Sequence, residues 1–210
     1  MNPYWLLGVE ALLFVLAFGA LSWLRGEGLP GRLAAEAAVF TVASVSLSWA
    51  ARVAIHPVLF LVLVYLVTMR ARLLVDLGNT LSARGRYEQA LAALHLGSRL
   101  SSDPSAQALA HINTGVVWMR QKRFEQAVVI LNDALVALPH QRGSPKLEAA
   151  CRYNLGVAYL RLGQEANALQ QLNKVIELLP NSLYARGAES AIRQRGTQAD
   201  LTRPQAGSTP

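Results

Sequence analysis

LGNTLSARGRYEQALAAL (Leu77–Leu94), TGVVWMRQKRFEQAVVIL (Thr114–Leu131) and LGVAYLRLGQEANALQQL (Leu155–Leu172) are one pattern written three times. Each copy holds a glycine (Gly78, Gly115, Gly156), an alanine twelve residues later (Ala90, Ala127, Ala168) and a leucine four beyond that (Leu94, Leu131, Leu172). A glycine and an alanine at that spacing fit two antiparallel helices that cross closely, with the leucine on the alanine's face one turn on. Pro139 and Pro180 stand at equal distances from their glycines and stop the second helix of their units.

With the glycine counted as position 8, the pattern resembles the tetratricopeptide repeat (TPR), a helix-turn-helix of 34 residues with a W-x2-L-G-x2-Y signature, a later A-x3-F and a closing proline. The residues that carry the resemblance are Leu77-Gly78 with Leu81, Gly115 with Trp118, and Leu155-Gly156 with Tyr159. Position 4 departs from it, being Leu74, His111 and Arg152 where tryptophan is usual, as does Thr114 at position 7 of the second unit. The first unit has Ser102 in place of the closing proline, with Pro104 just after it. The units span 71–104, 108–141 and 149–182, with three and seven extra residues at the junctions.

Upstream of the repeats the chain is apolar, and this accounts for a 52% hydrophobic composition in 210 residues. Tyr4 to Leu24 is long enough for a bilayer core and carries Glu10 as its only charge. It lacks the basic start, short apolar region and cleavage site of a signal peptide, and Tyr4, Trp5 and Trp23 sit at its ends as interface residues do. Leu33 to Ala51 is as long but built of small residues, Ala34, Ala37, Ala38, Thr41, Ser44 and Ser48, which suits the inner helix of a small bundle. Val53 to Met69 is a third run, rich in Leu and Val, with Pro57 in its first turn. The expectation is a transmembrane domain over 1–70 with spans at 4–24, 33–51 and 53–69; a two-span layout with 33–51 in the interface is the alternative. No Gly or Pro interrupts Val58 to Leu77, so the third span should run into the first repeat helix and hold the repeats rigidly at the membrane surface.

Arg25 and Arg32 flank the first loop, and Arg70 and Arg72 follow the third span, against Arg52 in the second loop. The positive-inside rule then places the amino terminus outside and the repeats in the cytoplasm. Between Arg70 and Arg195 there are 16 Lys and Arg against 9 Asp and Glu, an excess that equals the whole chain's net charge of +7. A basic domain beside an apolar one suggests anionic lipid headgroups or an acidic partner; the basic residues alternate with acids on helices, so a solvated face is expected and nucleic acid is not.

Beyond Pro180, residues 182–195 place Leu183, Tyr184, Ala188, Ala191 and Ile192 on one face, an amphipathic helix able to cap the open end of a repeat stack. Residues 196–210 are polar and read as a disordered tail. The fold class is therefore all-α, with transmembrane helices followed by a three-unit TPR solenoid and a capping helix over a repeat domain of 71–195.

Catalytic and cofactor signatures are lacking, so neither an enzyme nor a cofactor is expected. Gly26, Gly28 and Gly31 form G-x-G-x-x-G, but after a membrane helix instead of a strand. His56, His95, His111 and His140 lack a metal-ligand spacing, and Cys151 is the single cysteine, so no internal disulfide forms. Glu10 and Glu36 are the carboxylates within apolar segments, and a small transporter or sensor working through them is the rival function.

The resemblance directs attention to the concave face, which TPR proteins line with positions 2, 5, 9, 12 and 13. On this chain these are Arg72, Val75, Asn79, Ser82 and Ala83; Leu109, Ile112, Val116, Met119 and Arg120; and Ala150, Tyr153, Val157, Leu160 and Arg161. Asn79 and Asn113 occupy two places of the carboxylate clamp of chaperone-tail-binding relatives, but Val75, Ala150 and Asn154 stand where its basic residues belong, so the clamp is broken. An apolar groove with Arg120 and Arg161 at its edge implies an amphipathic segment with acidic residues along one side. The expected function is that of an adaptor or assembly factor that binds another protein of the same membrane; the chain's own last helix or a second copy are the other occupants.

Overall fold

Every regular element among the described residues of the computed structural model, 3–24, 31–53, 55–101, 104–138 and 145–202, is a helix. In order they are α1 (Pro3–Leu24), α2 (Gly31–Ala51), α3 (Pro57–Ala83), α4 (Tyr87–Leu100), α5 (Pro104–Arg120), α6 (Phe124–Ala137), α7 (Pro145–Arg161), α8 (Glu165–Leu178) and α9 (Leu183–Thr202). The chain divides into two compact units, Met1–Leu73 and Leu74–Pro210, with α3 contributing to both.

In the first unit Leu7, Ala11 and Phe14, spaced four and three apart, bring one face of α1 against Ala37 of α2 and against Phe60 and Val64 of α3. Phe18 meets Tyr65 at a ring separation of 6.1 Å, and Phe40 meets Phe60 at the same distance. Ala37, Ser44 and Ser48 are buried, so the small-residue face of α2 is the inward one. Two charged side chains close the bundle: the Arg70 guanidinium donates to both Glu36 carboxylate oxygens, at 2.7 and 3.3 Å. The segment over Ala34–Ala51 and helix α3 are long and apolar enough to cross a membrane, whereas the apolar stretch Trp5–Leu21 of α1 is shorter.

The second unit is a stack of helical hairpins. A Cβ on Gly78, Gly115 or Gly156 would stand 2.7, 2.6 and 2.7 Å from Cγ of Leu94, Leu131 and Leu172, so each unit's close contact is glycine against leucine, with the alanine carbonyl beside it in the first and third. Ala90, Ala127 and Ala168 are fully buried. The turn between the two helices requires a left-handed residue seven positions past the glycine: Gly85 (φ 75°), Lys122 (φ 61°) and Gly163 (φ 74°).

Several boundaries shift from those read in the sequence. Pro104 and Pro145 are each the first residue of a 17-residue helix, where a missing N–H costs no hydrogen bond. The extra junction residues thus include an added first turn on α5 and α7. The third apolar helix starts at Pro57 instead of residue 53, after Arg52 adopts φ 56°. Helix α9 passes Arg195 and runs to Thr202, so residues 196–202 of the expected tail are helical, while 203–210 lie outside the described residues; Gly196 alone does not break the helix, and no proline intervenes before Pro204. Pro139, His140, Arg25 and the first two glycines of the G-x-G-x-x-G string lie outside the described residues.

Candidate functional site

The first helices of successive hairpins pack side by side, α5 on α7 and α7 on α9, and this decides which residues reach the concave face. Val75 and Ile112, expected in its lining, are each only 3% exposed. Val75 packs with Ala90, Leu94, Ala110 and Val117, and Ile112 with Ala127, Leu131, Cys151 and Leu155. Ala150 is buried as well. These side chains point at the neighbouring helix and not into the concavity, so they glue the stack together. Leu109 is half-buried beside the Val75 group.

The third row is partly covered by the chain itself. Tyr153 packs against Tyr184 of α9 at 6.1 Å between rings, and a Cβ on Gly187 would lie 2.9 Å from Tyr153 Cε2. Leu160 joins the same cluster, with Ala188, Ala191 and Ile192 of α9. The last helix therefore takes up part of the lining that the sequence offered to a partner.

What stays accessible in the second unit is a band of half-buried apolar side chains, Val116, Met119 and Val157, bordered by the exposed Asn79, Ala83, Arg120 and Arg161. Arg120 donates to Ser82 Oγ at 2.8 Å, fastening the edge of the second repeat to the buried Ser82 of the first. The Asn113 and Asn154 amides donate to the carbonyl oxygens of Leu109 and Ala150 four residues earlier, at 3.0 and 2.8 Å, an internal use of the amide in place of clamp-like presentation. Arg72 is exposed on the part of α3 that belongs to the first unit and forms no part of this band. The Arg120–Ser82 bond was not read from the sequence; its signal is a small polar residue at position 12 of one repeat with arginine at position 13 of the next.

The two carboxylates of the rival reading have different surroundings. Glu36 is held by Arg70, whereas Glu10 has one carboxylate oxygen buried with no hydrogen-bond partner among the described residues. Cys151 is buried, and its Sγ donates to the Leu131 carbonyl oxygen at 3.1 Å. Burial pushes the thiol from 9.0 up to about 12, with Arg152 lowering it and Glu148 raising it to lesser extents.

The tetratricopeptide repeat family matches this chain twice, over residues 68–145 and 149–182, together a little over half of its length. The chain belongs to the tetratricopeptide repeat family. Among solved structures, a TPR-like protein from Chlorobium tepidum superposes with a TM-score of 0.51 at 19% identity, covering 61% of this chain and 94% of that one. The TPR2AB domain of yeast Sti1 in complex with pHSP90 superposes with a TM-score of 0.52 at 19% identity, over 65% of this chain and 52% of that one. The chain thus spans about half the length of the Sti1 structure. Comparison with curated proteins gives no match. The TPR fold is a scaffold for protein interaction, and that is the role the repeats assign to this chain.

Proposed function

We propose that this TPR protein is a membrane-anchored adaptor: α1, α2 and the first part of α3 lie in the bilayer, and the band around Val116, Met119 and Val157 holds a segment of another protein of the same membrane during assembly of a complex. The observation that carries the membrane half is the direction of the large side chains in the first unit. Its core is small, while Val39 and Leu47 of α2 are 71% and 68% exposed and Leu12, Leu16, Val58 and Leu59 are exposed with them. Water tolerates apolar surface of this extent poorly, whereas lipid tails solvate it freely. The aligned Sti1 domain, solved with pHSP90, supports the adaptor half as an instance of a TPR stack holding another protein.

Arg120 and Arg161 border the band, so the segment held is an amphipathic one with acidic residues along one side. The Glu36–Arg70 pair favours the adaptor over a transporter, because one of the two carboxylates is engaged in joining α2 to α3. A second reading, a small transporter or sensor with regulatory repeats, rests on the partnerless oxygen of Glu10.

Purification of the tagged full chain in mild detergent tests both. The adaptor reading expects the chain to resist alkaline extraction from membranes and to bring down a partner that Met119→Asp/Val157→Asp loses without a change in melting temperature. Retention of that partner by the double variant rejects the band as the site. Loss of cellular function in Glu10→Gln, with the partner still bound, moves the assignment to the second reading.

A further inference from the structure

The hairpin turns of the repeat unit are closed alike: Arg86 N–H donates to the Leu81 carbonyl oxygen, Arg123 N–H to that of Trp118 and Gln164 N–H to that of Tyr159, each at 2.9 Å. Their residues are therefore equivalent one to one, Arg84-Gly85-Arg86 with Gln121-Lys122-Arg123 and with Leu162-Gly163-Gln164. Because α5 packs beside α7 and Arg120 reaches back to Ser82, successive turns follow one another along one edge of the stack. With the residue that precedes each turn, Ala83, Arg120 or Arg161, this edge carries Arg84, Arg86, Arg120, Lys122, Arg123 and Arg161, all exposed, and no acid.

The helix dipole accounts for part of the pattern, since Arg120 and Arg161 sit in the last turns of α5 and α7 where a cation is favoured. It does not account for Lys122, which holds φ 61° where the other two turns have glycine, so a charged side chain is kept at a position whose backbone favours having none. Its neighbours are held in place: the Arg123 guanidinium lies 4.2 Å from the Trp118 ring centroid, and Arg120 donates to Ser82 Oγ at 2.8 Å. Little freedom is then lost when these cations meet an anion.

Glu88, Glu125 and Glu165 lie in the first turns of the helices that follow, so the positive edge is interrupted at each repeat. A nucleic-acid backbone, charged at every unit, meets these carboxylates, whereas a peptide can space its acids between them. Packed helices lie roughly 10 Å apart and three residues of extended chain span about the same distance, so an acid at every third residue reaches one turn after another. Arginine pairs with carboxylate through two parallel hydrogen bonds, which suits it to such acids.

We propose that the turn edge is a docking surface for an extended acidic segment of another protein, with Arg84, Arg86, Lys122 and Arg123 as its main contacts. It is a second surface of the repeats and does not depend on what the band around Val116, Met119 and Val157 holds.

The full chain in nanodiscs of zwitterionic lipid tests it by fluorescence anisotropy, with a labelled peptide of about twelve residues carrying glutamate at every third position as the probe and its glutamine counterpart as the control. Saturable binding is expected at low salt, falling as salt rises and absent for the glutamine peptide. Lys122→Gly should weaken binding about threefold while raising the melting temperature, a combination that a lysine serving only the fold does not give. Arg84→Ser/Arg86→Ser/Lys122→Gly should weaken it about thirtyfold, at roughly threefold per cation. Arg99→Ser/Lys174→Ser/Arg186→Ser removes the same charge from other exposed positions of the unit and should change affinity by less than about threefold. An equal loss in that variant reduces the binding to the chain's overall charge and overturns the proposal, as does unchanged affinity in the edge variant or the absence of saturable binding. Binding of a single-stranded oligonucleotide or of phosphatidylserine vesicles that is tighter than that of the acidic peptide, and is lost in the edge variant, overturns the acidic-segment assignment and gives the edge to nucleic acid or to lipid.

Discussion

Gly115 faces Leu131 so closely that a Cβ on the glycine would stand 2.6 Å from the leucine Cγ and within 3.2 Å of both terminal methyls. Side chains cannot pass through that contact, so the second hairpin closes only around a hydrogen atom. Gly115→Leu and Ala127→Leu are each expected to cost at least about 1–3 kcal/mol, because a stack of three units depends on every interface. The measurement is thermal melting of the full chain in detergent, with a fall of roughly 4 °C or more expected. An unchanged midpoint in both variants rejects this crossing as the tight point of the repeat.

Lys122 offers the opposite change. It holds φ 61° at the turn position where the first and third repeats place Gly85 and Gly163. A left-handed residue with a Cβ is strained by roughly 1–2 kcal/mol, part of which glycine gives back as unfolded-chain entropy. Lys122→Gly should therefore stabilise by about 0.5–1 kcal/mol. A Cβ on Gly85 or Gly163 meets nothing within 4 Å, so Gly163→Ala should destabilise through the backbone alone. Denaturant midpoints moving in the same direction for both variants contradict the argument.

Cys151 makes the repeat unit sensitive to alkali. Its thiol is raised from 9.0 to about 12 in the folded chain, so the folded state holds the proton more tightly than the unfolded one. That contribution is complete below pH 9 and declines by roughly 1.4 kcal/mol per pH unit as pH rises from 9 towards 12. Urea unfolding between pH 8 and 10.5 should show this slope, and Cys151→Ala should flatten it. Equal slopes for both chains refute the burial argument, as does rapid alkylation of the thiol in the folded protein at pH 8.

The membrane reading carries a topology. Reporter fusions at Arg32 and Pro210 are expected to report from the cytoplasm, and one at His56 from outside, because Arg25, Arg32, Arg70 and Arg72 fall on one side of a three-span layout. A fusion at Pro210 that reports from outside reverses the orientation and excludes a cytoplasmic partner.

The repeats were legible because their signal is local. Gly78 and Leu94, or Gly156 and Leu172, are fixed by a spacing within one hairpin, and each pair meets as that spacing requires. Contacts between hairpins were not legible to the same degree. Helical period assigns Val75 and Ile112 to the inward side of their helices, but whether that side opens to solvent or closes on the next helix depends on the pitch of the stack, which no short spacing encodes. For the same reason the spacing placed Tyr153 among the lining residues and left open whether the chain's own last helix occupies that place, where Tyr184 now packs against it. Pro104, noted only as standing just after the position of the closing proline, is the first residue of α5. Glu36 and Arg70, 34 residues apart on separate helices, share no pattern beyond opposite sign.

That last separation sets a clock. A ribosome adding about 5–20 residues per second needs roughly 2–7 s to travel from Glu36 to Arg70. In the proposed bilayer setting, α2 is thus delivered with its carboxylate unmatched, and the counter-charge arrives only when α3 has been synthesised almost to the repeats. The ion pair acts as a latch that closes only once α3 has been made. A chain interrupted before Arg70 leaves the Glu36 carboxylate without the counter-charge that the finished chain gives it.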